Sequence, residues 1–207
     1  LGMEAKKMLP IGIENFERLI LDGYYYVDKT LFIKELLDLK GSVNLFLRPR
    51  RFGKTLSLSM LRYFFEDTFD EGANARNKAL FKDLNIMDAG EAYTCQMGAY
   101  PVVNLTLKSA KQENYETACY MLQISIAREF ERHRGIVERG KERLSAKEYE
   151  QYVNIAEERA GEKEIRDSLR LFCQCMYKAT GKNTVILIDE YDVPLENAYF
   201  RGFYREM

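Results

Sequence analysis

Several residue types that build metal and redox centres are scarce in this sequence. Its 207 residues include no tryptophan, four cysteines and one histidine, His133. A single imidazole excludes a histidine-rich metal site, and because His133 stands in a charged run we expect it at the surface. The cysteines lack the paired two-residue spacing of a zinc ribbon or a redox motif, which indicates a reduced, cytoplasmic protein. They stand at positions 95, 119, 173 and 175.

The sequence also lacks a long apolar run and an excess of either charge. No stretch approaches the roughly 20 apolar residues that span a bilayer, and no signal-peptide core follows the N-terminus. We therefore expect no membrane association. Lys and Arg number 31 against 32 for Asp and Glu, so the chain as a whole has no basic excess for non-specific nucleic-acid binding. Hydrophobic residues, at 46%, supply enough material for one sizeable core.

Short apolar runs alternate with sequence of helical periodicity. The runs at 43–47, 101–107 and 184–188 predict strands. Because parallel neighbours need crossover connections, the alternation predicts an α/β fold with a three-layer parallel sheet. A helical segment precedes the first strand, and the helical sequence at about 109–180 exceeds one crossover, which indicates a helical insertion. The chain ends inside sequence with helical character, so we expect one domain over 9–207 that is incomplete at its C-terminus.

Local signals mark where three of the predicted helices begin or end. Asp28 is a candidate N-cap for a helix that contains Phe32, Leu36 and Leu39 at helical spacing. The sequence from Ser145 to Glu148 matches a capping box, in which two residues satisfy each other's backbone N–H groups. Gly181 follows an apolar helical pattern and predicts its end.

A glycine, a lysine and a threonine follow the first predicted strand and open a predicted helix. Gly53 lets backbone N–H groups approach an anion, Lys54 can reach the β and γ phosphates of a nucleotide, and Thr55 offers a hydroxyl to Mg²⁺. In this context the three residues predict the phosphate-binding loop of a P-loop NTPase fold. The residues expected to bind the nucleotide are Arg50, Arg51, Phe52, Gly53, Lys54, Thr55 and Leu56.

The first half of this loop departs from the usual pattern GxxxxGK[ST]. Arg48 stands where the first glycine is expected, and Pro49 pushes it toward an extended backbone. The loop must therefore follow another path. Arg50 and Arg51 allow two interpretations: they contact phosphate oxygens through their guanidinium groups, or they are solvated loop residues.

Two adjacent acids follow the last predicted strand. Asp189 and Glu190 stand at its carboxyl end, the edge where open α/β sheets bind ligands. We expect Asp189 to hold Mg²⁺, directly or through water, and Glu190 to act as the catalytic general base that polarises the attacking water. The alternative is a strand that ends in a solvated acidic turn. The upstream phosphate-binding loop favours the catalytic interpretation.

Three segments resemble the bacterial AAA-ATPase-like family, whose members are related to the AAA+ ATPases. They read LPIGIENFERLILDGYYYVDKT from residue 9, FLRPRRFGKTLSLSML from residue 46 and LIDEYDVPLENA from residue 187. The resemblance covers most of residues 9–207, and the family signature also has arginine and proline at the start of its loop. By this resemblance, Gly53, Lys54 and Thr55 correspond to the Walker A motif, and Asp189 and Glu190 to Walker B.

The resemblance implies ATP and Mg²⁺ as cofactors. It also implies that the ATPase module continues beyond residue 207 and often carries a C-terminal nuclease-like domain of the PD-(D/E)XK type. A nucleic-acid or protein partner bound through that region, and a homo-oligomer, are compatible with it. For the tyrosine-rich sequence GYYYVDKT, which is similar to the family as well, a packed structural strand and an adenine contact remain as alternatives.

Three functions are left to compare. The first is ATP hydrolysis that drives a switch or a remodelling step, which Glu190 favours because a binding module needs no base beside Asp189. The second is a nucleotide-binding regulatory module of a larger nuclease-associated protein that does not hydrolyse ATP, which the altered loop favours. A P-loop kinase ranks last, because we identify neither an acceptor site nor a lid.

Overall fold

The computed structural model describes residues 7–41, 44 and 53–194. The chain divides into two compact units, residues 1–100 and residues 101–207, and each is described by itself. Of the predicted first strand, all residues but Asn44 lie outside the described part, and so do Arg48 and Pro49. One domain over 9–207 with a helical insertion stays a prediction.

Among the described residues of the first unit, the regular secondary-structure elements are helices. The apolar periodicity correctly predicted its first three helices, whereas the other two lie at residues for which it made no prediction. The five helices are α1 (Phe16–Leu21), α2 (Leu31–Asp38), α3 (Lys54–Phe65), α4 (Glu71–Ala79) and α5 (Glu91–Thr94).

Aromatic side chains form the core of this first unit. Phe16 of α1, Phe64 of α3 and Phe81 are each fully buried. The ring of Phe81 stacks on Phe16 at 5.0 Å between centroids and meets Phe64 edge-on at 5.4 Å. Such pairs add to the stabilisation that burial of the rings provides. The backbone N–H of Phe16 also donates to the Ser59 hydroxyl at 2.9 Å, which fixes α1 against α3.

Asp28 does not cap α2, so that prediction is wrong. The N-cap is Thr30, two residues further on. One carboxylate oxygen of Asp28 accepts hydrogen bonds from the backbone N–H and the hydroxyl of Thr30, at 2.8 and 2.7 Å. The other accepts from the backbone N–H of Asn85 at 2.7 Å. Asp28 therefore ties the residues before α2 to a distant loop instead of closing the helix itself.

Among its described residues, the second unit contains a two-stranded parallel sheet and four α-helices, which confirms the α/β class. Its elements are β1 (Val102–Thr106), α6 (Tyr115–Arg139), α7 (Ala146–Ala156), α8 (Glu162–Arg166), α9 (Ser168–Thr180) and β2 (Val185–Asp189). The strands pair in register from Val102 with Val185 to Thr106 with Asp189. The described part of the chain thus contains two parallel strands. The three-layer sheet stays a prediction.

The second strand differs from its prediction in two respects. It begins and ends one residue later than expected, at Val185 and Asp189. The continuous apolar run predicted cover on both faces. Leu187 is buried, but Ile186 and Ile188 on the opposite face remain 37% and 39% exposed. Among the described residues, this alternation of buried and exposed side chains shows cover on one face of β2.

An ion pair on α6 closes the outer edge of β1. Glu129 accepts a hydrogen bond from the backbone N–H of Asn104 at 2.9 Å, and Arg132 donates to the backbone carbonyl of Val102 at 2.6 Å. The two side chains also bond each other at 2.8 Å. They occupy backbone groups that another strand would otherwise use, which protects the edge and orients α6.

His133 is buried, which corrects its predicted surface position. Only 2% of the residue is exposed, its Nδ1 lies 2.8 Å from the backbone oxygen of Glu129, and its ring meets Phe172 edge-on. The reason is helical periodicity: His133 follows the buried Phe130 by one turn of α6. The charged neighbours in the sequence point elsewhere. The hydroxyl of the buried Tyr152 donates to the Phe130 carbonyl at 2.7 Å and completes this core.

The remaining local signals of the sequence are confirmed. Ser145 and Glu148 form the predicted capping box at the start of α7. Gly181 ends α9 with a φ of 74°, a backbone conformation that glycine adopts readily. Within the described ranges, no helix is both long and apolar enough to cross a membrane.

Candidate functional site

The first candidate region is the start of α3, in the first unit. Gly53 is its N-cap, with φ 74° and ψ 25°, a left-handed conformation that strongly favours glycine. Its carbonyl accepts the first helical bond, from the N–H of Ser57 at 2.9 Å. Lys54 is the first residue of the helix, so the predicted tripeptide stands at the turn into a helix, as the sequence indicated.

The start of α3 has the character of an anion site. The first N–H groups of any helix lack intrahelical partners, and the helix dipole makes this end positive. No acidic residue lies in the first turn of α3 to offset that charge. Among the residues that the structure describes, the Lys54 ammonium has no ion-pair or hydrogen-bond partner. Apart from Gly53 and its two chain neighbours, no described atom lies within 4 Å of the point where a Cβ on Gly53 would stand, so this side of the residue is open.

The predicted nucleotide-binding residues are described only from Gly53 onward. Thr55 is the second residue of α3 and lies in its first turn. Leu56 follows and contributes to the wall of a pocket. Arg50, Arg51 and Phe52 lie outside the described residues, so their phosphate contacts stay a prediction.

A pocket of about 280 Å³ opens beside Gly53 and the first turn of α3. The sequence analysis did not predict it as a cavity. Its lining comes from four separate stretches of the first unit: Pro10, Phe16, Leu19, Tyr25, Tyr26, Val27, Lys29, Gly53, Leu56, Ser57 and Met60. The signal that pointed toward it was the tyrosine-rich segment, whose predicted strand is absent over residues 24–29.

The second candidate region is the end of β2, in the second unit. Asp189 is only 8% exposed, although it is the last residue of its strand. Its backbone oxygen accepts from the N–H of Leu107 at 3.0 Å, which holds the strand end against β1. Its carboxylate accepts from the N–H of Glu190 at 2.9 Å. A buried carboxylate is thus fixed at the sheet edge where the sequence placed it.

Glu190 has a left-handed backbone, with φ 56°. Residues other than glycine adopt this conformation uncommonly, and such strain is concentrated at functional sites. Its backbone oxygen accepts from the N–H of Val193 at 3.1 Å, which forms a turn directly after the strand. Within residues 53–194 and the other described ranges, the Glu190 carboxylate has no hydrogen-bond or ion-pair partner. It is therefore available to bind or to accept a proton.

Comparison with known proteins identifies the family. Residues 10–207 match a family described as predicted AAA-ATPase. The chain belongs to this family. An uncharacterized protein from the vnfD 5′ region of Azotobacter chroococcum mcd 1 is 31% identical to this AAA-ATPase-like chain over 192 residues, or 92% of the chain. The chain spans 30% of the length of that relative. No solved structure matches.

The AAA-ATPase-like chain carries its two motifs in different units. Gly53, Lys54, Thr55 and Leu56 are contiguous in the first unit, and Asp189 and Glu190 are contiguous in the second. Membership of the family supports nucleotide binding in general. Among the described residues, no group of three or more His, Cys, Asp or Glu side chains could hold a metal ion by itself.

Proposed function

We propose that this chain binds Mg-ATP through the start of α3 and hydrolyses it with Glu190 as the general base. The observation that carries the proposal is the left-handed Gly53 followed by Lys54, whose ammonium has no partner among the described residues, at a helix N-terminus. The family membership supports it independently.

The phosphates would bind to the positive end of α3. Backbone N–H groups of its first turn donate to phosphate oxygens, and Gly53 allows the close approach that a side chain would obstruct. Lys54 adds a compact positive charge on a flexible stem that can reach the terminal phosphates. Arg50, Arg51 and Phe52 belong to the same proposal as the preceding part of the loop.

The donor atoms of the proposed site fit magnesium. Mg²⁺ prefers oxygen ligands and is held by one or two protein groups together with the phosphates of a substrate, so a dedicated cluster of acids is not required. Thr55 would hold it through the hydroxyl and Asp189 through the carboxylate. When bound, the ion neutralises charge that develops on the phosphates.

Glu190 would prepare the water that attacks the γ-phosphate. Its carboxylate has no partner among the described residues, and its neighbour Asp189 is already held by a backbone N–H group. A carboxylate in hydrogen-bond reach of the water would orient it and accept its proton as the water oxygen bonds to the γ-phosphorus. The bond from that phosphorus to the β–γ bridging oxygen breaks in the same step, and ADP leaves with this oxygen. The left-handed backbone conformation of Glu190 is strained, and backbone strain of this kind is concentrated at active sites.

The finer predictions on fold and partners form part of the same proposal. They are a three-layer P-loop sheet over 9–207, a switch or remodelling step driven by hydrolysis, a nucleic-acid or protein partner, and a homo-oligomer. A non-hydrolysing regulatory module of a nuclease-associated protein is the second candidate. The replacement of the first loop glycine by Arg48 favours it.

Substitution of the two acids separates binding from chemistry. Glu190→Gln removes the base but keeps the shape, so Mg-ATP affinity should persist while the single-turnover rate falls by about 10²- to 10⁴-fold. Asp189→Asn should weaken the Mg²⁺-dependent part of the affinity as well, because an amide is a poorer partner for a hard cation. Rapid-quench measurement of ADP and calorimetric titration of Mg-ATP provide the two readouts.

Each outcome decides one part of the proposal. A Glu190→Gln chain that hydrolyses ATP at the wild-type rate would show that Glu190 is not the base. A wild-type chain that binds Mg-ATP but forms no ADP would favour the regulatory module instead.

A further inference from the structure

The carboxyl edge of the sheet in the second unit carries a cation, Lys108, that the proposed mechanism does not use. We propose that Lys108 contacts an oxygen of the γ-phosphate and stabilises the charge that develops there during hydrolysis. This inference rests on the proposed function, because it takes the γ-phosphate to lie beside Asp189 and Glu190. It adds a residue from the end of the neighbouring strand.

The register of the two strands brings Lys108 to the same edge as Glu190. Thr106, the last residue of β1, pairs with Asp189, the last residue of β2. Neighbouring strands lie about 5 Å apart. Lys108 stands two residues after the end of β1, and Glu190 directly follows β2. Both residues therefore lie at the carboxyl edge, where open α/β sheets bind ligands.

The backbone on both sides of Lys108 is held by hydrogen bonds. Before it, the N–H of Leu107 donates to the backbone oxygen of Asp189 at 3.0 Å. After it, the side-chain amide of Gln112 donates to the carbonyl of Ser109 at 2.7 Å. The side chain of Lys108 thus extends from an anchored backbone, and its long flexible stem lets the ammonium adjust to a ligand.

The charges of Lys108 and Glu190 are not paired with each other. Lys108 is exposed, and its ammonium has no hydrogen-bond or ion-pair partner among the residues that the structure describes. The same holds for the Glu190 carboxylate within those residues. Two opposite charges at one sheet edge that form no ion pair are both available to a ligand. A phosphate suits the cation, and the attacking water suits the carboxylate.

The proposed reaction needs a positive charge at this edge. The carboxylates of Asp189 and Glu190 repel a triphosphate, and the two charges of one Mg²⁺ ion offset this repulsion only in part. As the water attacks, charge also redistributes over the oxygens of the γ-phosphate and the leaving group. A nearby ammonium stabilises this transition state more than the ground state, so it raises the rate more than the affinity.

Single-turnover hydrolysis and calorimetry test this inference. Lys108→Ala should lower the rate of ADP formation from saturating Mg-ATP by about 10²- to 10³-fold. Its affinity for Mg-ADP, which lacks the γ-phosphate, should stay at the wild-type value. Lys108→Arg keeps a positive charge and should restore most of the rate. Lys111→Ala is the matched control and should hydrolyse ATP normally, because Lys111 is an exposed lysine three residues further along the same segment.

A transition-state analogue separates a phosphate contact from an effect through Glu190. Mg-ADP with orthovanadate imitates the phosphoryl group in transfer, so it should bind the wild type more tightly than Mg-ADP alone. Lys108→Ala should lose this gain in affinity, and it should do so in the Glu190→Gln chain as well. If the loss is absent in the Glu190→Gln chain, Lys108 acts through Glu190 and the proposed phosphate contact is wrong.

The same measurements distinguish the failure of this inference from the failure of the proposed function. If Lys108→Ala keeps the wild-type melting temperature and forms ADP at the wild-type rate, the inference is overturned while the proposed hydrolysis stands. A wild-type chain that binds no Mg-ATP, or that binds it without forming ADP, would overturn the proposed hydrolysis and this inference together.

Discussion

Helices α3 and α7 begin in opposite ways. At the start of α7, the Ser145 hydroxyl accepts from the N–H of Glu148 at 3.2 Å, and the Glu148 carboxylate accepts from the N–H of Ser145 at 2.8 Å. At the start of α3, Gly53 has no side chain, and no acid lies in the first turn. Side-chain caps also close α1, α4 and α6, through Asn15, Asp70 and Asn114.

This difference separates a structural helix start from a proposed binding site. The capping box satisfies N–H groups that would otherwise lack partners, and its negative charge suits the helix dipole. Its stabilisation needs no ligand. In α3 the corresponding groups can be satisfied by water or by an anion, and Lys54 adds positive charge. In α7 these N–H groups are satisfied within the protein, whereas we propose that a bound anion satisfies those of α3.

The largest expected effect on Mg-ATP affinity comes from placing a glutamate in the first turn of α3, at the position that Glu148 occupies in α7. Leu56 occupies the third helical position of α3, as Glu148 does in α7. Leu56→Glu should weaken Mg-ATP binding by about 100-fold or more, because a carboxylate about 5 Å from a phosphate costs about 3 kcal/mol at an effective dielectric constant of about 20. Leu56→Gln is the neutral control of the same shape, and calorimetry measures both. Equal affinities of the two variants would refute an anion site at this helix start.

Opening the start of α7 should change stability alone. Ser145→Ala removes the acceptor for the N–H of Glu148, and the free energy of unfolding should fall by about 1 kcal/mol. Ser145→Asp keeps an acceptor and should restore most of it. Mg-ATP affinity should not change in either variant. Urea unfolding and calorimetry check these expectations, and a loss of nucleotide affinity in Ser145→Ala would contradict the separation of the two helix starts.

The smallest expected effect is the pH dependence of the α7 start. The Lys178 ammonium and the Ser145 backbone N–H hold the pKa of Glu148 down to about 2. Because this pKa is lowered on folding, its contribution to stability is complete above the unfolded value of about 4.3 and is lost as pH falls toward 2. Solvent screens the pair, since Lys178 is 38% exposed, so we expect about 0.5–1 kcal/mol.

Glu148→Gln provides the reference for this measurement, because glutamine does not titrate. The wild type should be more stable than the variant at pH 6, and the two should converge near pH 2 in urea unfolding. A stability difference that is the same at both pH values would show that ionisation of Glu148 contributes nothing.

Structural features that depend on residues close together in the sequence were predicted correctly. The capping box at Ser145 and the helix end at Gly181 depend on hydrogen bonds between residues a few positions apart, which a sequence displays directly. Asp28 failed as a cap because one of its oxygens is used by Asn85, far along the chain. His133 failed because its charged neighbours concealed its place on the buried face of α6.

Part of the candidate functional site could also be predicted from the sequence. Lys54 at the start of a helix and Asp189 at the end of a strand follow from local pattern, and both positions are observed. The left-handed backbone of Glu190 carries no signal in its own residue type, because glutamate rarely adopts it. The pocket beside Gly53 is assembled from segments distant in sequence, so the tyrosine-rich segment pointed toward it but could not reveal its other walls.

Calorimetric titration of Lys54→Ala with Mg-ATP tests the central claim most directly. Loss of the charged contact should weaken binding by about 10- to 150-fold, while circular dichroism and the melting temperature stay at their wild-type values. Lys82→Ala removes an exposed lysine outside the proposed site and should bind Mg-ATP normally. If Lys54→Ala binds Mg-ATP as tightly as the wild type and the Lys82→Ala control, the start of α3 does not hold the phosphates and the proposed function is wrong.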